Sequence, residues 1–188
     1  MLLAFESHPN IDLSGAPLTE AYLIDADLRG ARLDDAHAYA AMAGGVNLRR
    51  GSLRRTNFNK AVLVSADLRE VDARSVQMIK TAMNNALLSG ADLRGACLDR
   101  AHLTGADLSD CDLRSASLVG TSLLGANLTR ARLACANLTS AHVDRHTILR
   151  DLDGLTEATI DWFFYDNQRV GRDVLLHLAS RSAAGPEG

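Results

Sequence analysis

Aromatic side chains are scarce in this chain of 188 residues, which contains one tryptophan, three tyrosines and four phenylalanines. Aliphatic and small residues must therefore supply most of the core. Cysteine is also scarce, and Cys97, Cys111 and Cys135 are an odd number without the spacing of a metal site. We therefore expect reduced thiols in a cytoplasmic protein.

An excess of charge of one sign is also absent. The chain has 20 basic and 23 acidic residues, and residues 11–150 carry 17 basic and 15 acidic ones. Direct binding to nucleic acid needs a basic surface and mimicry of DNA needs an acidic one, so this balance argues against both. The apolar segment Met1–Phe5 is too short to cross a membrane and lacks a basic leader, so we expect no membrane span and no signal peptide.

The sequence does contain a regular five-residue period. Between Leu13 and Ile148, every fifth residue is a central position; there are 28 such positions and 20 of them are leucine. A small residue, usually alanine, stands two places earlier. A period of five fits neither a helix nor a strand, so the chain must turn in every pentapeptide. Four pentapeptides close a coil with the central and small residues inside, which predicts about seven stacked coils. Representative core residues are Leu28, Leu68, Leu93, Leu108 and Leu128.

Many of these pentapeptides resemble the A-[DN]-L-x-x unit of the pentapeptide-repeat family. Examples are Ala26–Gly30, Ala66–Leu68, Ala91–Gly95, Ala106–Leu108, Ala126–Leu128 and Ala136–Leu138. The resemblance covers about three quarters of the chain and implies an all-β fold, a right-handed quadrilateral β-helix. Its functional implications are broader, because the family includes gyrase-binding DNA mimics that protect against quinolones and secreted bacterial effectors.

The chain divides into four segments. Residues 1–10 are predicted to be an N-terminal cap or arm, because Glu6 and His8 would otherwise point inward. Residues 11–150 form the β-helix, and residues 151–181 are predicted to form a C-terminal cap with a helix, through which two copies could also join as a homodimer. The candidate residues for the cap or dimer contact are Trp162, Phe163, Phe164, Val174, Leu175 and Leu178. The small and polar residues 182–188 are expected to be disordered.

Outward positions recur every 20 residues, which predicts columns of side chains on each side of the coil. One column contains Arg54, Arg74, Arg94 and Arg114, and a neighbouring column contains Asp72, Asp92 and Asp112. Exposed ion pairs between such rows stabilise by only ~0 to 1 kcal/mol each. We interpret the rows as a solvated charged ladder, with an electrostatic recognition surface as the alternative.

A second side is predicted to be apolar on its outer surface. Its candidate interaction residues are Tyr22, Ile24, Met42, Val62 and Val64. Adjacent apolar groups on a surface are typical of an interface. The alternatives are association of two copies through this side, or cover by the N-terminal arm or the C-terminal segment.

No pattern in the sequence predicts catalysis. His142, Asp144 and His146 have a spacing that suggests a metal site, but the period places the first two outside and His146 inside. The period also brings together no Ser-His-Asp or Cys-His group. We therefore expect no catalytic residue, no metal and no cofactor.

Three functional classes remain. The leading hypothesis is a non-enzymatic protein-binding module that presents flat faces to a partner. The alternative is a DNA mimic that binds DNA gyrase or another topoisomerase and gives quinolone resistance. A second alternative is the β-helix domain of a secreted bacterial effector, whose catalytic domain would lie beyond residue 188.

Overall fold

The five-residue period folds as a β-helix in the computed structural model, which describes residues 2–183. We number the five positions of each repeat so that the small residue is first and the central residue is third. Each second-position residue forms a parallel bridge with the residue 20 places further on, from Leu2 with Tyr22 to Ser122 with His142. Since each repeat contains one turn, every coil has four turns and pairs with the coils before and after it.

The first and third positions line the interior. Leu28, Leu68, Leu93, Leu108 and Leu128 are each 0% exposed. Three first positions carry threonine, at Thr56, Thr81 and Thr121, and these side chains are also buried. Their hydroxyls donate hydrogen bonds of 2.7–2.8 Å to the backbone carbonyls of Leu33, Phe58 and Leu98. A small polar side chain is therefore accepted inside the coil because it keeps a partner.

The fifth position makes each turn. In every repeat from Phe5 to Ser140 its backbone has a positive φ, between 52° and 70°. Glycine fills eight of these positions, and none carries a β-branched residue, which would be strained there.

The second position explains the recurrence of aspartate and asparagine. The fourth-position N–H makes no backbone hydrogen bond, but in repeats such as that of Asn137 it donates to the side-chain oxygen two residues earlier. The distance is 3.0 Å from the Thr139 nitrogen to Asn137 Oδ1 and 3.1 Å from the Ser109 nitrogen to Asp107 Oδ1. An acceptor at the second position thus satisfies a donor that the turn leaves unpaired.

The N-terminal segment is part of the coil. Residues 2–10 pair with residues 22–30, and the Leu3 and His8 N–H groups donate to the carbonyls of Tyr22 and Asp27 at 2.9 and 2.8 Å. The predicted inward side chains of Glu6 and His8 instead bond one another across 2.7 Å at the open end. The described part of the predicted cap or arm is therefore a first half-coil.

The period ends earlier than predicted. Asn127 pairs with Ile148, 21 residues further on, so one extra residue lies in the loop 144–147. The prediction that Ile148 is a central residue is wrong, since Ile148 is 43% exposed and Leu149 is buried in its place. His146, expected inside, is exposed for the same reason. Asp144 Oδ1 closes the wider loop by accepting the N–H groups of Gly125, His146 and Thr147 at 2.9–3.1 Å.

The C-terminal segment contains a hairpin that the sequence analysis did not predict. Strand β1 (His142–Val143) pairs in parallel with β2 (Phe163–Tyr165), which pairs antiparallel with β3 (Gln168–Val170). A 3-10 helix, Leu155–Glu157, precedes the hairpin and helix α1 (Arg172–Ala183) follows it. The helix extends two residues past the predicted boundary at 181, and residues 184–188 of the predicted disordered tail lie outside the described residues.

Candidate interaction surface

One side of the coil is almost free of charge. We call it the uncharged side, and it consists of residues 2–5, 22–25, 42–45, 62–65, 82–85, 102–105 and 122–125. Among aspartate, glutamate, lysine and arginine, it carries Asp25 alone. This side therefore contrasts with the two sides that carry rows of ion pairs.

The N-terminal half of the uncharged side is apolar and open. Leu2, Tyr22, Met42 and Val62 follow one another in a single column of bridges. The exposed fractions are 69% for Leu2, 77% for Phe5, 54% for Tyr22 and 37% for Met42. The remaining candidates, Ile24, Val62 and Val64, are half-buried on the same side.

Within residues 2–183, neither terminal segment covers these apolar residues. The N-terminal segment extends the surface, because Leu2 lies beside Tyr22 in the column. The C-terminal hairpin pairs with His142, at the opposite end of the coil. The described part of neither segment therefore provides the cover that two of the alternatives for this side expected.

In the predicted charged ladder, the arginines form ion pairs with the aspartates. Arg74, Arg94 and Arg114 each bind the aspartate two residues earlier through two hydrogen bonds, with N–O distances of 2.6–2.9 Å. Arg54 has a serine at that position and its Nε instead binds Asp72 of the next coil at 2.7 Å. Burial alone would raise the pKa of Asp72, but hydrogen bonds from Arg74 and Arg54 outweigh it and lower the pKa to about 2. The negative charges of this row of carboxylates are thus balanced by the neighbouring arginines.

The remaining arginines and lysines of the coil are also paired with carboxylates, with one exception. Arg49 and Arg50 share Glu70, Arg55 binds Asp35 and Arg130 binds Asp110. A groove of about 500 Å³ runs beside Arg29, Arg49 and Arg50, and its arginines are all bonded to carboxylates. It therefore offers no free cationic site for an anion.

The exception is the corner that precedes the uncharged side. Lys60, Lys80 and Arg100 lie there in three successive coils, and all three are exposed. Within the described residues of the coil, 2–143, every other lysine and arginine forms a salt bridge and these three form none. Lys60 Nζ lies 5.3 Å from the ring centroid of Tyr39. We call these three residues the basic corner. The basic corner was not predicted from the sequence, although its 20-residue spacing is visible there.

The candidate residues of the C-terminal cap differ in how far they are buried. Phe163 and Leu175 are 1% and 2% exposed and pack against the core. Phe164 stacks on His142 at 4.4 Å between ring centroids, Trp162 meets Phe164 edge-on at 5.3 Å, and burial lowers the pKa of His142. Leu178 is half-buried.

Val174 was predicted to belong to the same apolar face but is 37% exposed. The reason is geometric. Adjacent positions of a helix point about 100° apart, and α1 turns Leu175 toward the core.

The described residues give little support to a metal site, a reactive cysteine or a membrane-spanning helix. Across residues 2–183, no three histidine, cysteine, aspartate or glutamate side chains are grouped so that they could hold a metal. Burial raises the pKa of the Cys111 thiol to about 12, so this cysteine is a poor nucleophile. In the same part of the chain, no helix has the length and apolar character needed to cross a membrane.

The comparison with known proteins agrees with this architecture. The sequence model described as Pentapeptide repeats matches in eight copies, over residues 11–50, 43–78, 66–105 and 106–143. The chain belongs to the pentapeptide-repeat family. No curated protein matches its sequence.

Several solved structures of pentapeptide-repeat proteins are similar to the chain. HetL, involved in heterocyst differentiation regulation in the cyanobacterium Nostoc sp. strain PCC 7120, is 27% identical, with 89% of this chain and 91% of HetL covered and a TM-score of 0.43. QnrB1, a plasmid-mediated fluoroquinolone resistance protein, is 18% identical, with 86% and 91% covered and a TM-score of 0.48. Rfr23 from the cyanobacterium Cyanothece 51142 is 32% identical, with 48% and 61% covered and a TM-score of 0.31.

Proposed function

We propose that this pentapeptide-repeat protein is a non-enzymatic, cytoplasmic protein-binding module whose uncharged side docks a partner protein. The observation that supports the proposal is the row of exposed apolar side chains at Leu2, Phe5, Tyr22 and Met42 on a side with a single carboxylate. Contiguous exposed apolar surface of this kind is typical of protein interaction sites.

The energetics of docking favour this side over the charged ladder. A partner on the ladder would have to remove water from ion pairs that already satisfy one another, and such desolvation is unfavourable. On the uncharged side, docking removes water mainly from apolar groups, which is favourable at about 25 cal/mol per Å². The bridges between successive coils also hold the backbone of this side in place, so little backbone entropy is lost on binding.

Partner capture with matched variants tests the proposal. Tyr22→Glu and Met42→Glu each place a charge on the uncharged side, and Leu87→Glu is the control, because Leu87 is 39% exposed on another side. Immobilised protein is incubated with a lysate of the source cells, and bound proteins are quantified by mass spectrometry. We expect a partner that wild type and Leu87→Glu capture equally and that both uncharged-side variants lose at least tenfold. Capture of the same proteins by all four chains, or of none, would contradict the proposal.

We also propose that two copies associate through the C-terminal region. The support is the exposure of Val174 on α1, beside Leu175 that seals the coil within one copy. Sedimentation velocity over a range of protein concentrations tests this. A dimer is expected for the wild type and a monomer for Val174→Asp, and a monomeric wild type at all concentrations would refute it.

A further inference from the structure

The basic corner indicates the chemistry of the partner, and the inference rests on the proposed function of the uncharged side. Twelve of the fifteen lysines and arginines in residues 2–143 are held by carboxylates. The remaining three, Lys60, Lys80 and Arg100, occupy one column in three successive coils. Within residues 2–143, every other cation is paired with a carboxylate. These three therefore form a short row of positive charge without a salt bridge.

This row runs along the edge of the uncharged side. Lys60 precedes Val62 by two residues, and Lys80 precedes Ala82 in the same way. The column of apolar residues and the column of cations are therefore parallel, and both advance by about 4.8 Å per coil. A ligand that follows the long axis of the coil would meet the apolar groups first and the cations further along, and the two columns overlap at Val62 and Lys60.

We propose that the uncharged side and the basic corner together bind an amphipathic α-helix of a partner protein, which lies along the axis of the coil with its acidic edge on the basic corner. Side chains three and four places apart on one face of a helix are separated by about 4.5 to 6 Å along its axis, close to the spacing of the coils. One part of the helix would place an apolar stripe on Tyr22, Met42 and Val62. Carboxylates further along the same helix would meet the three cations, which begin at the level of Val62 and continue over the next two coils.

A second copy of this chain does not satisfy the basic corner. If two copies packed antiparallel through their uncharged sides, the corner columns would face each other, and the only carboxylate in that column is Glu20. If they packed parallel, the corner would face the opposite edge, where the only carboxylate is Asp25, opposite Glu20. In both arrangements, two or more of the three cations would face no carboxylate. Charge complementarity therefore favours a different, acidic partner.

Two synthetic peptides provide the test. Each is a helical peptide about 20 residues long with the same leucine and alanine stripe, and the edge of the stripe carries glutamate in one and lysine in the other. Fluorescence anisotropy measures the Kd of each labelled peptide for the full chain. We expect the acidic peptide to bind at least about tenfold more tightly than the basic one, with an affinity that falls as sodium chloride is added.

Variants locate the contact. The triple variant Lys60→Gln, Lys80→Gln, Arg100→Gln should weaken binding of the acidic peptide about tenfold. The control triple Arg29→Gln, Arg32→Gln, Arg130→Gln removes the same charge from other sides, where these side chains are 59%, 60% and 59% exposed, and should change the Kd less than about twofold. Circular dichroism and thermal unfolding of both triples establish that the coil is intact.

The outcomes separate this inference from the proposed function. If both peptides bind equally and Met42→Glu abolishes binding, the uncharged side is a docking surface but the acidic partner is wrong. If the acidic peptide does not bind, the inference is overturned and the capture experiment alone decides the proposed function. Tighter binding to vesicles of anionic phospholipid than to the acidic peptide, lost in the triple variant, would also overturn it by assigning the basic corner to lipid.

Discussion

At the scale of single residues, each position of the repeat is selected by a different physical requirement. The third position fills the interior, the fifth adopts a positive φ, and the second supplies an acceptor to the fourth-position N–H. Thr121 illustrates the strictness of the first position, since its hydroxyl is accepted only with a hydrogen bond to the Leu98 carbonyl at 2.8 Å. The consensus A-[DN]-L is thus a set of local solutions to packing and hydrogen bonding.

Truncation of one central leucine tests the interior. Leu108→Ala removes a side chain that is 0% exposed, and we expect the free energy of unfolding to fall by about 2–5 kcal/mol. Leu87→Ala is the control, because that leucine is 39% exposed and its loss should change stability by less than about 0.5 kcal/mol. Urea unfolding followed by circular dichroism measures both. Equal stabilities of the two variants would show that the interior is assigned incorrectly.

At the scale of elements, the arginine–aspartate ladder predicts a specific dependence of stability on pH. The folded pKa of Asp72 is about 2, below the 3.8 of an unperturbed aspartate. Ionised Asp72 therefore stabilises the fold above pH ~4, and this contribution is lost as the pH falls toward 2. Asp72→Asn should reduce the loss of stability over that interval by up to about 2 kcal/mol. Urea unfolding at a series of pH values measures it, and identical pH profiles for wild type and variant would contradict the argument.

The C-terminal helix offers a matched pair of neighbouring residues. Leu175 is 2% exposed and seals the last coil, whereas Val174 is 37% exposed. Leu175→Ala should lower the midpoint of thermal unfolding by several degrees, since about 2–4 kcal/mol of burial is lost. Val174→Ala, measured at a concentration where the chain is monomeric, should leave it nearly unchanged. Differential scanning calorimetry compares them, and a reversed order would mean that α1 packs through its other face.

The elements also show where prediction from the sequence succeeds. Between Leu13 and Val143 a single period identifies each buried residue, because every repeat sees the same neighbours. It fails at the loop 144–147, where one added residue moves Leu149 inside and Ile148 outside. It also missed the hairpin, although Asp166 and Asn167 have the positive φ angles, 45° and 65°, that a two-residue hairpin turn needs. Aromatic packing across segments, not a local period, decides the structure there.

At the scale of the whole molecule, the balance of charge separates the functional classes. The longest row of carboxylates, Asp72, Asp92 and Asp112, is bound by arginines along its length. Within residues 2–143, no column of carboxylates is left free to imitate the phosphates of DNA. The candidate interaction surface itself could be predicted only in part, since the period located its apolar residues but ion pairing had to be seen to identify the basic corner.

This balance predicts the result of a direct assay. The purified chain should not inhibit supercoiling by DNA gyrase at micromolar concentration, because a neutral surface has no preference for a positively charged DNA groove. Agarose gel electrophoresis of the plasmid measures the reaction. Inhibition that persists at raised salt would support the gyrase-binding alternative.

Because residues pair at a fixed separation of 20, the molecule can be lengthened or shortened by whole coils. Asn85 and Gly105 occupy equivalent turns one coil apart, with φ angles of 58° and 68°. Deleting residues 86–105 would join two matching turns and shorten the rod by about 4.8 Å, while duplicating them would lengthen it equally. The two ends would be unchanged by either operation. The coil is therefore a spacer whose length can be set independently of the structure of its two ends.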